Sequence, residues 1–120
     1  MGNSHIDFRL ARDAEVCWVE TKSVTLVEEE IAMFPDAPTE RGCRHLLELA
    51  AALKKGVRAA VVFVIQRSDA QNFVSNTAID PEFSTVLARV VSAGVEVKAY
   101  RCNVSLDSIQ ILDDIPVILR

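Results

Sequence analysis

The chain has 120 residues, half of them apolar and a quarter charged, with a net charge of −4. That mixture suits one globular domain with a real core and excludes a disordered chain. The longest apolar run, residues 57–65, is interrupted by Arg58 and is far too short to cross a membrane, and the amino terminus carries no secretion-like leader.

In chain order, "IDFRL" predicts a short strand carrying Asp7, and the polar "ARDAE" at 11–15 predicts a hairpin loop. Residues 16–27, "VCWVETKSVTLV", are rich in Val, Thr, Trp and Leu and hold no Gly or Pro, which predicts one long strand. The segment "EEEIAMFPDAP" reads as irregular, because Pro35 and Pro38 oppose a strand interior or a long helix. A helix is expected from a cap at Asp36 or Thr39 to about Lys55, before Gly56. Its expected apolar stripe is Cys43, Leu46, Leu47, Ala50 and Leu53, with Arg41, Arg44, His45 and Glu48 off that stripe.

"VRAAVVFVI" at 57–65 predicts a central strand covered on both faces. A polar loop over 66–79 leads to Asp80-Pro81-Glu82, a strong helix start, and Gly94 ends that helix. "VEVKAYRC" at 95–102 alternates as a strand, while "ILDDIPVIL" predicts extended, peripheral chain because of Pro116. A helical crossover between the strands at 57–65 and 95–102 makes that pair parallel, against an antiparallel opening hairpin. The expectation is an α/β domain with a mixed sheet flanked by helices.

Charge is unevenly spread. Residues 1–40 hold nine acids against three Lys/Arg, residues 41–67 hold one against six, and residues 68–120 hold seven against four. An acidic segment followed by a basic one suits a metal site beside a phosphate-binding surface, and on charge alone it suits ordinary solvated helix faces better. Cys17, Cys43 and Cys102 are odd in number, far apart and without a C-x-x-C pair. They read as small buried apolar residues of a protein in the reducing cytoplasm.

Side chains alternate along a strand, so Glu20 and Lys22 share a face. If Asp7 on the preceding strand sits opposite Glu20, all three converge; a slip of one residue would send Asp7 to the other face. An Asp followed on the next strand by Glu-x-Lys is the PD-(D/E)xK pattern of metal-dependent nucleases. In that pattern two hard carboxylates hold Mg²⁺ or Mn²⁺, and the lysine stabilises charge on phosphate or on the attacking water. The same three residues also permit an ordinary cross-strand salt bridge.

The segments "NSHIDFRL", "WVETKSVTL", "FPDAPTERGCRHLLEL", "RAAVVFVIQRSD" and "GVEVKAYR" extend this pattern over nearly the whole chain. Together they resemble the sugar fermentation stimulation protein A family, with "FPDAPTERG" the most distinctive. The resemblance implies a restriction-endonuclease-like carboxyl-terminal domain, non-specific DNA binding and a link to regulation of sugar metabolism. It carries the catalytic set onto Asp7, Glu20 and Lys22, with Asp7 and Glu20 as metal ligands. It adds Asp36, Arg41 and His45 as second-tier site residues. For these the residues themselves also allow Asp36 as a helix cap and His45 as a surface helix residue. His5 stands where the family usually shows Arg.

The family also has a barrel-like amino-terminal domain, and a helix and strand before the Asp strand. None of these precedes Asp7 in this sequence, so Met1 reads as a late start or the chain as a fragment. The expected function is DNA binding through a metal-centred phosphate site, with phosphodiester hydrolysis as its enzymatic form. The rival readings are a catalytically silent DNA-binding regulator and a remnant without independent function. Arg41, Arg44, Lys54 and Lys55 are the expected DNA-backbone contacts, giving weak, sequence-independent binding.

Overall fold

A computed structural model of the protein describes residues 8–12 and 15–119. Along the chain come β1 (Phe8–Arg12), β2 (Glu15–Val24), β3 (Leu26–Glu28), β4 (Ile31–Phe34), α1 (Glu40–Lys54), β5 (Arg58–Ile65), β6 (Asn72–Ser75), α2 (Pro81–Ala93), β7 (Glu96–Val104), β8 (Ile109–Asp114) and β9 (Val117–Ile118). They build two mixed sheets, one ordered β1-β2-β5-β7-β8 and the other β3-β4-β6-β9.

The opening hairpin is antiparallel and pairs Phe8 with Val19 and Arg12 with Glu15. Residues 11, 12 and 15 therefore belong to the strands, and the connection is shorter than the loop over 11–15 that polarity suggested. Asp7 lies outside the described residues. β2 runs parallel to β5, and β5 to β7, as crossovers through α1 and α2 require.

The run at 16–27 is not one strand. Pairing of β2 with β5 ends at Val24 opposite Ile65, and after Thr25 the chain enters the second sheet as β3. The segment expected to be irregular holds a tight hairpin, with Glu28 opposite Ile31 and Glu29 and Glu30 at φ 48° and 66°. Two residues at positive φ give the twist a two-residue hairpin needs, but that turn usually advertises itself by Asn-Gly. Three consecutive Glu concealed it. Pro35 follows the last residue of β4, so the strand stops where proline requires. Likewise the polar stretch at 66–79 contains β6, parallel to β4.

β5 is the middle strand of its sheet, and Ala59, Val61, Phe63 and Ile65 are fully buried. The alternate residues Ala60, Val62 and Val64 are only half-buried, so one face is covered and the other is not closed to the same degree. Phe63 stacks on Phe73 at 4.2 Å between ring centroids and meets Phe34 at 5.6 Å; Phe34 in turn meets Phe83 edge-on at 5.3 Å. These rings tie both sheets and α2 into one core, as aromatic burial favours.

α1 starts after Thr39, whose hydroxyl accepts from the Gly42 amide, and not at Asp36. Its buried face is Gly42, Cys43, His45, Leu46, Leu49 and Ala52. Leu47, expected on the stripe, is half exposed, and His45, expected off it, is buried. α2 matches expectation, with Asp80 as cap and Gly94 at φ 121° ending it. The tail is extended and peripheral as foreseen: β8 and β9 are the last strands of their sheets.

Gly42 has a packing reason. A Cβ there would stand 2.8 Å from Thr39 Cγ2 and 3.2 Å from Phe83 Cε2. Overpacking costs about 1–3 kcal/mol, partly offset by about 1 kcal/mol from replacing Gly in a helix. Gly42→Ala is expected to lose up to about 2 kcal/mol in urea unfolding on that balance. Unchanged stability would mean that α1 can move away from Phe83.

Candidate functional site

Strand pairing decides where Glu20 and Lys22 point. Glu20 is aligned with Val61 and Lys22 with Phe63, and partners in register project to the same side. Val61 and Phe63 are wholly buried, so the acid and base face the core side, under α1. Glu20 is 3% exposed. This is not an exposed surface pair.

α1 lays His45 onto the two residues. Lys22 Nζ donates to His45 Nδ1 at 2.8 Å and lies 3.2 Å from Glu20 Oε1, and His45 Nδ1 lies 3.0 Å from the same oxygen. The three polar atoms form a closed triangle. His45 is held below the usual imidazole range, chiefly because burial disfavours the charged ring. The Lys22 charge pushes the same way, the Glu20 carboxylate opposes, and Arg41 adds a smaller lowering effect. An ammonium can only donate, so the 2.8 Å contact needs Nδ1 as the acceptor and the ring proton on Nε2.

The triangle leaves atoms over. Glu20 Oε2 and His45 Nε2 are buried without a hydrogen-bond partner among the described residues, and so is Oε2 of Glu48, three residues beyond His45 on α1. Buried polar atoms without partners are uncommon and costly, on the order of 1–3 kcal/mol each, and they point to something that binds there. A carboxylate oxygen is a hard donor of the type Mg²⁺ or Mn²⁺ prefers. Among the described residues no group of three His, Cys, Asp or Glu could hold a metal ion alone, so Glu20 would need a ligand from elsewhere.

The other candidates separate. Arg41 is exposed, one turn before His45 on α1 and near enough for its charge to act on the ring. Arg44 is exposed beside it, while Lys54 and Lys55 are exposed at the other end of the helix. Asp36 sits exposed in the bend before α1 and is not the helix cap. Glu48 was missed; its only sequence signal was the three-residue step from His45. The three cysteines are free thiols raised chiefly by burial above their ordinary range; Cys43 and Cys102 are buried as expected, while Cys17 is only half-buried. No helix among the described residues is long and apolar enough to cross a membrane.

Comparisons with known proteins agree with one another. Residues 1–108 match the family described as "Sugar fermentation stimulation protein RE domain". A sugar fermentation stimulation protein homolog of Desulforamulus reducens is 49% identical over 116 residues, 97% of this chain and 48% of the relative. Another, of Chloroflexus aurantiacus, is 49% identical over 117 residues, 98% of this chain and 45% of the relative. The chain thus spans about half the length of the curated relatives it matches. Among solved structures, Pyrococcus furiosus SfsA in complex with Ca²⁺ aligns at a TM-score of 0.90 and 33% identity, covering 98% of this chain and 51% of that one.

Proposed function

This chain belongs to the sugar fermentation stimulation protein family and has its restriction-endonuclease-like fold, and on that premise we propose that it binds DNA through a divalent-metal phosphate site centred on Glu20 and Lys22. The observation that carries this reading is the buried Oε2 of Glu20, without a hydrogen-bond partner among the described residues, beside an ammonium on the same strand face. Asp7 is the proposed second carboxylate ligand. The hairpin register that pairs Phe8 with Val19 is the one this assignment requires. The Ca²⁺ in the Pyrococcus furiosus relative supports a divalent cation for the family, and Mg²⁺ or Mn²⁺ is the form proposed here.

A bound Mg²⁺ or Mn²⁺ would supply Lewis-acid activation of a phosphate oxygen and of water. The residues of the chain do the rest. Glu20 would hold the cation through its free carboxylate oxygen, while Oε1 stays in contact with Lys22. The Lys22 ammonium, fixed in a largely buried site, would stand where negative charge grows on the phosphoryl group. Arg41 and Arg44 attract the DNA backbone from the exposed side of the same helix turn. Asp36 stands as a further candidate in the preceding bend.

Lys54 and Lys55 lie roughly 20 Å along the helix from Arg41, so two or three phosphates at most are met together. Log K against log salt is therefore expected to slope by about −2 to −3 for labelled duplex DNA, without sequence preference. Lys22→Ala should leave that binding within a few-fold of wild type and should remove Mn²⁺-dependent strand cleavage. Cleavage that survives Lys22→Ala would refute the role given to the lysine. DNA binding with no cleavage by the wild-type protein would favour the silent regulator over the nuclease.

A further inference from the structure

The third corner of the triangle has a task of its own. We propose that His45 is a positioning residue: by accepting from the Lys22 ammonium, it draws that cation away from Glu20 and leaves Glu20 Oε2 open to a divalent metal. This deepens the metal-site reading and rests on Glu20 being a ligand.

Lys22 and a divalent metal would compete for one carboxylate. A buried carboxylate next to a largely buried ammonium is expected to have both of its oxygens paired, since each buried acceptor left without a partner is costly. Here it does not. Lys22 Nζ stands 2.8 Å from His45 Nδ1 but 3.2 Å from Glu20 Oε1, and Oε2 has no partner among the described residues. The imidazole takes the shorter bond and so holds the ammonium off the second oxygen. His45 is brought there by α1, 23 residues along the chain from Lys22, and is itself almost fully buried. The ring cannot swing aside without unpacking the helix face that Leu46 and Leu49 anchor. An outer partner that orients a ligand commonly changes metal affinity 10–100-fold when removed.

The test is Mn²⁺ titration by calorimetry on the whole chain and four variants. His45→Ala is expected to weaken binding about 10-fold or more, because Lys22 then closes on Glu20. His45→Asn keeps an acceptor near the position of Nδ1 and should stay within about 3-fold of wild type, since the ammonium keeps its second bond. His45→Gln extends past that position and should bind as weakly as His45→Ala. The double variant His45→Ala with Lys22→Ala should recover affinity, since no ammonium is left to compete. A purely structural histidine would give no such recovery.

Wild-type affinity in His45→Ala, or a double variant no better than the single one, would overturn the proposal. Should His45→Ala fail to fold by circular dichroism, the Asn and Gln variants decide: equal affinity in both overturns it. If wild-type chain binds no Mn²⁺, or if Glu20→Gln binds as wild type does, the assignment of Glu20 falls and this inference with it.

Discussion

Glu20→Gln should abolish Mn²⁺ binding and, unlike a surface substitution, should also lower stability by about 1–3 kcal/mol. The amide keeps the shape of the side chain and one acceptor for Lys22, so the lysine can still bridge residue 20 and His45. It removes the negative charge that a hard divalent ion requires and puts a donor or a neutral oxygen at the position of Oε2. The stability loss follows from burial: a carboxylate 3% exposed, in contact with an ammonium and an imidazole, is not screened by water. Calorimetric titration and urea unfolding of the same preparation measure the two effects together. Retained Mn²⁺ affinity would remove Glu20 from the site. Lost affinity with wild-type stability would mean that the buried triangle contributes nothing to folding.

Asp80→Ala should be the most damaging substitution outside the hydrophobic core, at about 2–4 kcal/mol. Asp80 Oδ1 accepts from the Phe83 amide at 3.0 Å and caps α2, as its position before Pro81 foretold. Its Oδ2 accepts from the amide of Thr39 at 2.9 Å, and Thr39 caps α1. One nearly buried carboxylate therefore holds the starts of both helices. An ordinary cap is worth about 1 kcal/mol, and leaving the half-buried Thr39 amide without an acceptor adds about 1–3 kcal/mol. Asp80→Asn keeps one oxygen and should lose less. Because α1 carries His45, the Ala variant should also loosen the Glu20–Lys22–His45 contacts. A urea midpoint lowered by no more than a simple cap loss would show that the bond to Thr39 is dispensable.

"FPDAPTERG" illustrates how structure sorts a motif. Phe34 is a ring of the aromatic core, Pro35 is buried and its carbonyl accepts from Asn76, Thr39 caps α1, and Gly42 admits Phe83. Asp36 and Arg41 have no such packing role: both are exposed. Those two are where substitution should affect binding rather than folding.

Much of this was legible from residue order. Period-two alternation put Glu20 and Lys22 on one face, continuous apolarity made 57–65 central, and Asp80-Pro81 with Gly94 bounded α2 almost to the residue. These are local signals, set by backbone geometry and side-chain sterics within a few positions. Local signals could not say which face of β2 is buried, because that depends on β5 and α1. They misjudged α1 for the same reason: its helical period allows more than one stripe. Packing against β2, β5 and α2 selected the stripe holding Gly42 and His45 over the one holding Leu47. The second sheet was hidden because its strands are two to four residues long and its tight turn is made of glutamates. The contact of His45 with Lys22, across 23 residues, was decided only when the crossover after β4 laid the helix over the sheet, since strand and helix periods fix directions within an element and never the distance between two of them.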